Sequence, residues 1–131
     1  MKKALIVAAL MGLTLTGCDK YKDSYEAVML TESYNVTSDI IEFYKFNGLK
    51  SIELKKVDDN ALKYSASLKD GTVNVFYDNG DGKETLFTIK GGENVTSSFE
   101  INAKKVYIII ETVNTCESGY LEFTFNELTK K

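Results

Sequence analysis

The chain has 131 residues, a formal net charge of −3, and no arginine, histidine, tryptophan or proline. Without arginine, and with acids in excess, it lacks the bidentate phosphate and guanine reader and the basic field of a nucleic-acid-binding protein. Without histidine it lacks the commonest general base and catalytic-metal ligand, so a Ser-His-Asp triad cannot be assembled.

The first residues have the three parts of a secretory signal: Lys2 and Lys3, an apolar stretch from Ala4 to Leu13, and small residues before a cysteine. The apolar stretch falls short of the roughly 20 residues a membrane-spanning helix needs. Leu15-Thr16-Gly17-Cys18 resembles the lipobox of bacterial lipoproteins. The resemblance implies cleavage before Cys18, diacylglycerol on its sulfur and acylation, palmitate for example, of the new N-terminus. Two chains suffice for stable anchoring. The expected protein is thus held on the extracytoplasmic face of the membrane. That is the outer face of the cytoplasmic membrane in a Gram-positive host, or a periplasm-facing position in a Gram-negative one.

Cleavage removes 17 of 131 residues and leaves 114, enough for one domain with a core of its own. It removes two lysines and no acid, so the charge of −3 becomes −5. The expected division is a signal peptide over 1–17, a lipidated tether over 18–24 and a β-sandwich over 25–131. With Cys18 carrying lipid, Cys116 is an odd thiol, expected to be a partly buried small hydrophobe, with a reactive or intermolecular thiol as the alternative.

Residues 25–36 read two ways: Tyr25, Val28 and Met29 suit a helical turn, whereas Val28, Leu30 and Val36 suit an edge strand. From residue 40 the apolar period is two, the mark of half-buried strands. Ile41 and Phe43 open the first strand, and Asn47-Gly48 predicts a turn. Ile52 and Leu54 follow, then a turn at Asp58-Asp59-Asn60. Leu62, Tyr64, Ala66 and Leu68 share a face up to Asp70-Gly71. Val73, Val75 and Tyr77 lead to the tip Asp78-Asn79-Gly80-Asp81-Gly82, and Phe87 and Ile89 return to Gly91-Gly92. Phe99 and Ile101 are expected inward. Val106 to Ile110 is a continuous apolar run, suited to a strand covered on both faces. Leu121, Phe123 and Phe125 alternate with Glu122, Thr124 and Asn126. Strands recurring every 8–12 residues or so between turns predict an all-β fold, a single antiparallel sandwich of jelly-roll or Greek-key type.

Phe46-Asn47-Gly48, Leu54-Lys55-Lys56, Asp70-Gly71, the 78–82 tip, Tyr107-Ile108-Ile109-Ile110 and Gly119-Tyr120-Leu121-Glu122-Phe123 together resemble small sandwich domains of Gram-positive surface lipoproteins. These are similar in outline to jelly-roll or pre-peptidase C-terminal domains. The likeness spans about residues 40–126 and implies no catalytic residue.

Candidate chemistry is sparse. An EF-hand reading of the 78–82 tip fails, because with Gly82 at position 6 the ends fall on Tyr77 and Thr88; a hairpin tip is expected, with a weak calcium site as the alternative. No metal, cofactor or catalytic residue is expected. Tyr44, Phe76 and Tyr120 fall out of phase with the apolar face of their strands and are the candidates for an exposed aromatic binding patch. The function expected is a non-enzymatic binding or interaction module of the cell envelope. A glycan-binding domain is one alternative, and an inhibitor or accessory subunit of an envelope enzyme is another. The partners expected are the membrane, through Cys18, and an envelope glycan or protein.

Overall fold

A computed structural model describes residues 21–129; the signal segment and Cys18 lie outside the described residues. Nine strands form the fold: β1 (Ser24–Val28), β2 (Thr31–Asn35), β3 (Ser38–Lys55), β4 (Leu62–Asp70), β5 (Thr72–Asp78), β6 (Glu84–Lys90), β7 (Asn94–Phe99), β8 (Lys105–Thr112) and β9 (Cys116–Thr124). All pairings are antiparallel, in the order β6-β5-β8-β3-β9-β4-β7, with β1 and β2 along β3.

The fold turns on β3. Its 18 residues would span roughly 60 Å if straight, three times an ordinary strand. Instead it bends at Asn47-Gly48: Ser38 to Phe46 pair with β9, and Leu49 to Lys55 pair with β8. One half of β3 joins β9, β4 and β7 in a first layer, and the other half joins β8, β5 and β6 in a second. The layers meet face to face where Tyr64 of β4 stacks on Phe87 of β6 at 4.8 Å, and where Tyr77 of β5 meets Phe99 of β7, also at 4.8 Å. Connections β4–β5, β6–β7, β7–β8 and β8–β9 each cross between layers, the jelly-roll manner of building a sandwich.

The turn expected at Asn47-Gly48 is therefore a bend inside one strand. Strand β1 lies against it, with Glu26 opposite Asn47 and Tyr25 opposite Gly48. Gly48 has φ +135°, and a β-carbon there would fall 2.5 Å from the Tyr25 Cα. The chain does turn back there, but without breaking the strand: the Lys55 amide donates to the Val36 carbonyl at 2.6 Å, so both ends of β3 meet, while β1 and the Thr112 hydroxyl satisfy the backbone at the bend. Residues 25–36, open between helix and strand, form β1 and β2.

The inward phases hold. Ile41, Phe43, Ile52, Leu54, Leu62, Tyr64, Val73, Val75, Leu121, Phe123 and Phe125 are all buried. Phe43 lies over Gly119, its partner on β9, so closely that a β-carbon at Gly119 would overlap the ring. Ile108, Ile109 and Ile110 are buried in succession, as the unbroken apolar run of β8 requires.

The sandwich has two ends. The chain segments 56–61, 79–83 and 100–104 lie at one, and 70–71, 91–93 and 113–115 at the other. The first described residues sit nearer the former end. The Tyr21 hydroxyl donates to Asp78 Oδ2 at 2.7 Å, its carbonyl accepts from Ser51 Oγ, and its ring meets Tyr107 edge-on at 6.0 Å. Asp23 Oδ1 accepts from the Ser51 amide at 2.8 Å. Residues 21–23 of the expected tether are thus bound to the domain.

Candidate functional site

The three aromatic candidates do not form one patch. Tyr44 is half exposed on the outer face of the first layer. Phe76 lies opposite Ile109 on the outer face of the second layer, half buried, with Lys83 Nζ 4.4 Å from its ring centre. Tyr120 is buried, and its hydroxyl donates to Glu122 Oε1 at 2.7 Å. Glu122, expected on a solvated phase, is buried too: its other oxygen accepts from the Thr129 amide, so the C-terminal segment caps this part of the layer. Alternation gave the correct face for all three rings, but not what covers each face.

Asp78 is also buried, not solvated as a hairpin tip would have it. Its Oδ1 accepts from the Gly80 and Gly82 amides at 2.8 and 3.2 Å, and both glycines have positive φ. With Tyr21 on Oδ2, the carboxylate is engaged by donors on both oxygens and serves as a staple for the 79–83 turn. Among the described residues no group of three potential metal-ligating side chains occurs.

A cluster missed by the sequence reading lies between the layers at the edge closed by β3. Asp39 shares the inward phase of Ile41 and Phe43 and is fully buried. Lys50 points inward from the other half of β3, with its Nζ 2.9 Å from Glu32 and 3.6 Å from Asp23. Neither Asp39 oxygen accepts a hydrogen bond of good geometry. Burial, then the hydrogen bond to Glu32 and its charge, push the Asp39 carboxyl up to about 10. This favours the protonated acid at neutral pH, beside the Glu32 carboxylate. Burial raises the Glu32 carboxyl, but the Asp39 hydrogen bond and Lys50 outweigh it and hold the group below its ordinary value. Lys50 is held protonated, since its acidic neighbours outweigh its desolvation. The phase of Asp39 was legible in Asp39-Ile40-Ile41, but its partners come from β2 and the far half of β3.

The concave surface lies at the end of the sandwich near Tyr21. A groove of about 470 Å³ runs between the start of β8 and the 79–83 turn, lined by Lys55, Lys104, Lys105, Tyr107, Asn79 and Ala103 among others. Lys55 and Lys105 face each other across the β3–β8 pair, a like-charge juxtaposition that destabilises a sheet. Lys105 has a partial counter-charge in Glu53 at 3.3 Å and lies 5.8 Å from the centre of the Tyr107 ring. Asp78, the acid lining the groove, has its carboxylate held by Tyr21 and two turn amides. A shallower concavity beside it, lined by Lys56, Asp58, Asp59 and Lys104, is mixed in charge. Lys56 Nζ donates to the Ile101 carbonyl at 2.7 Å and so braces the 100–104 segment between the two. Three lysines and one aromatic ring line the groove, whose accessible wall is mostly apolar. Lys55-Lys56 and Lys104-Lys105 were visible as pairs in sequence, but only the β3–β8 register joins them.

No protein-family model and no curated protein matches the chain. Similar solved structures include a Neisseria meningitidis protein, at 16% identity and TM-score 0.42, over 76% of this chain and 86% of that one. Another is the Cupin_2 domain of an XRE family transcriptional regulator from Enterobacter cloacae, at 9% identity and TM-score 0.41, over 78% of this chain and 100% of that one. A third is a family 29 carbohydrate-binding module complexed with mannohexaose, at 16% identity and TM-score 0.39, over 81% of this chain and 78% of that one. At that degree the likeness is one of all-β architecture and says nothing of what this chain binds.

Proposed function

We propose that this protein is a lipid-anchored, non-enzymatic binding module on the extracytoplasmic face of the membrane, and that it binds an anionic ligand in the groove of Lys55, Lys104, Lys105 and Tyr107. The carrying observation is the opposed pair Lys55 and Lys105 at the rim of a concave surface. Like charges directly opposite destabilise a strand pair; Glu53 offsets part of the Lys105 charge, and an anion beside Lys55 and Lys104 offsets the rest. A non-enzymatic reading is supported by the acids. The strongly shifted one, Asp39, is fully buried and lines neither concavity, so it is out of reach of a substrate. Glu53, next to the groove, is engaged by Lys105.

A carbohydrate reading is favoured by one observation, Tyr107 beside Asn79 in the same groove, since a ring and an amide are what a sugar face requires. Amide chemical shifts of the protein titrated with inorganic phosphate, an oligoglucuronate and a neutral glucan test both readings. Anion binding moves the signals of Lys55, Lys104, Lys105 and Tyr107 with phosphate and oligoglucuronate. Movement with the neutral glucan as well makes the ligand a sugar. No movement at those residues with any of the three overturns the groove as the site.

A further inference from the structure

Tyr21 fixes where the chain leaves the domain, because its hydroxyl, carbonyl and ring are held by Asp78, Ser51 and Tyr107. Asp78 and Tyr107 both line the lysine groove. Three peptide units separate Tyr21 from Cys18, and fully extended they reach only roughly 10 Å. A lipid on Cys18 therefore holds this end of the sandwich within about one Debye length of the headgroups.

We infer that the lysine groove docks on the membrane that carries the anchor, and that its ligand is the anionic headgroup surface of the bilayer. The inference rests on the lipidation and on the groove reading above. Charge complementarity favours this occupant. Lys55, Lys104 and Lys105 line the groove; the acid in its lining, Asp78, has both oxygens taken by Tyr21 and the glycine amides, and Glu53 offsets part of the Lys105 charge. Asp58 and Asp59 line the neighbouring concavity with Lys56 and Lys104, so the contact is confined to the side of the end from which Tyr21 departs. The short tether raises the effective concentration of headgroups at the groove, so weak lysine contacts suffice to orient the domain. The domain then stands with the 70–71, 91–93 and 113–115 turns away from the membrane.

The test has two arms. In the first, full-length Cys18→Ser protein, which carries no lipid, is floated with vesicles of phosphatidylcholine alone or with phosphatidylglycerol. Binding to the anionic vesicles and not to the neutral ones is expected. It should weaken on the order of 100-fold in Lys55→Gln/Lys104→Gln/Lys105→Gln, at roughly fivefold per lysine, and fall with added salt. Equal or absent binding to the two vesicle types overturns the proposal, whether or not the wild type is lipidated. In the second arm, lipidated protein in the Cys116→Ser background carries a fluorophore at Asn102→Cys or at Lys69→Cys, at opposite ends of the sandwich. A headgroup-located quencher should quench the first label and spare the second in anionic vesicles. Equal quenching overturns the orientation. Absence of lipid from the wild-type N-terminal peptide, read by mass, refutes the anchor separately. Shifts caused by oligoglucuronate without anionic-vesicle binding assign the groove to a glycan instead.

Discussion

At the residue scale, side chains are decided by what the opposite layer supplies. Phe123 is fully buried, its ring 6.3 Å from Phe87 across the sandwich. Phe123→Ala should cost about 3–5 kcal/mol, read as a shift of the urea midpoint; a loss below about 1 kcal/mol would mean the strand faces the other way. Cys116 is buried, with its sulfur 3.4 Å from the Thr72 and Asn114 carbonyls. Burial pushes its thiol up, so little nucleophilic thiolate exists at neutral pH. A thiol reagent should label Cys116 only as the protein unfolds. Labelling of the native protein at the rate of a free thiol would contradict that environment.

At the element scale, the polar cluster under β1 and β2 gives the fold a definite pH dependence. The Asp39 carboxyl is raised to about 10 in the folded chain, whereas an unfolded aspartate titrates near 4. Between those values the folded state holds a proton the unfolded state has lost, so stability from this group is complete below about pH 4 and declines as pH rises. The slope is at most about 1.4 kcal/mol per pH unit. Glu32 acts in the opposite sense, because its carboxyl is lowered: its contribution is present at neutral pH and is lost as pH falls through the acid range. Asp39→Asn keeps the shape and removes the titration. Over pH 6–9 the wild-type urea midpoint should fall with rising pH, and that of Asp39→Asn should stay nearly flat. Parallel curves for the two proteins would show that Asp39 is ionised in the fold. Because β1 and β2 close over this cluster, the loss at high pH should begin with their amides in hydrogen exchange.

At the scale of the whole molecule, three lysines of an acidic chain line one groove at the end where its N-terminal segment departs, next to the acids Asp58, Asp59 and Asp78 of the same end. Membrane residence is expected to come from Cys18 first and from the groove second, since two acyl chains bind far more strongly than a few lysines. Cys18→Ser should therefore move most of the protein from the membrane fraction to the soluble extracytoplasmic fraction. Wild-type protein recovered without lipid and with Met1 intact would refute the anchor.

What the sequence determined by itself was local. Period-two alternation put Leu62, Tyr64, Ala66, Leu121 and Phe123 on inward faces, and the unbroken run at Val106 to Ile110 required cover on both sides. These follow from the geometry of a single strand, in which neighbouring side chains point to opposite faces. What only the tertiary structure decided depends on groups far apart in the chain. Asn47-Gly48 turns the chain back inside one strand, not in a hairpin loop, because β1 lies across it. Tyr120 and Glu122 are buried because Glu122 meets the Thr129 amide and the two side chains bond each other. The Asp39 carboxyl is pushed up because it is buried between the layers and because Glu32 meets it there, and Lys55 joins Lys104 and Lys105 at one groove because it falls opposite Lys105. Alternation records which way a side chain points; what it meets there is set by register and layer crossing, and these are satisfied only when the whole sheet has closed on itself.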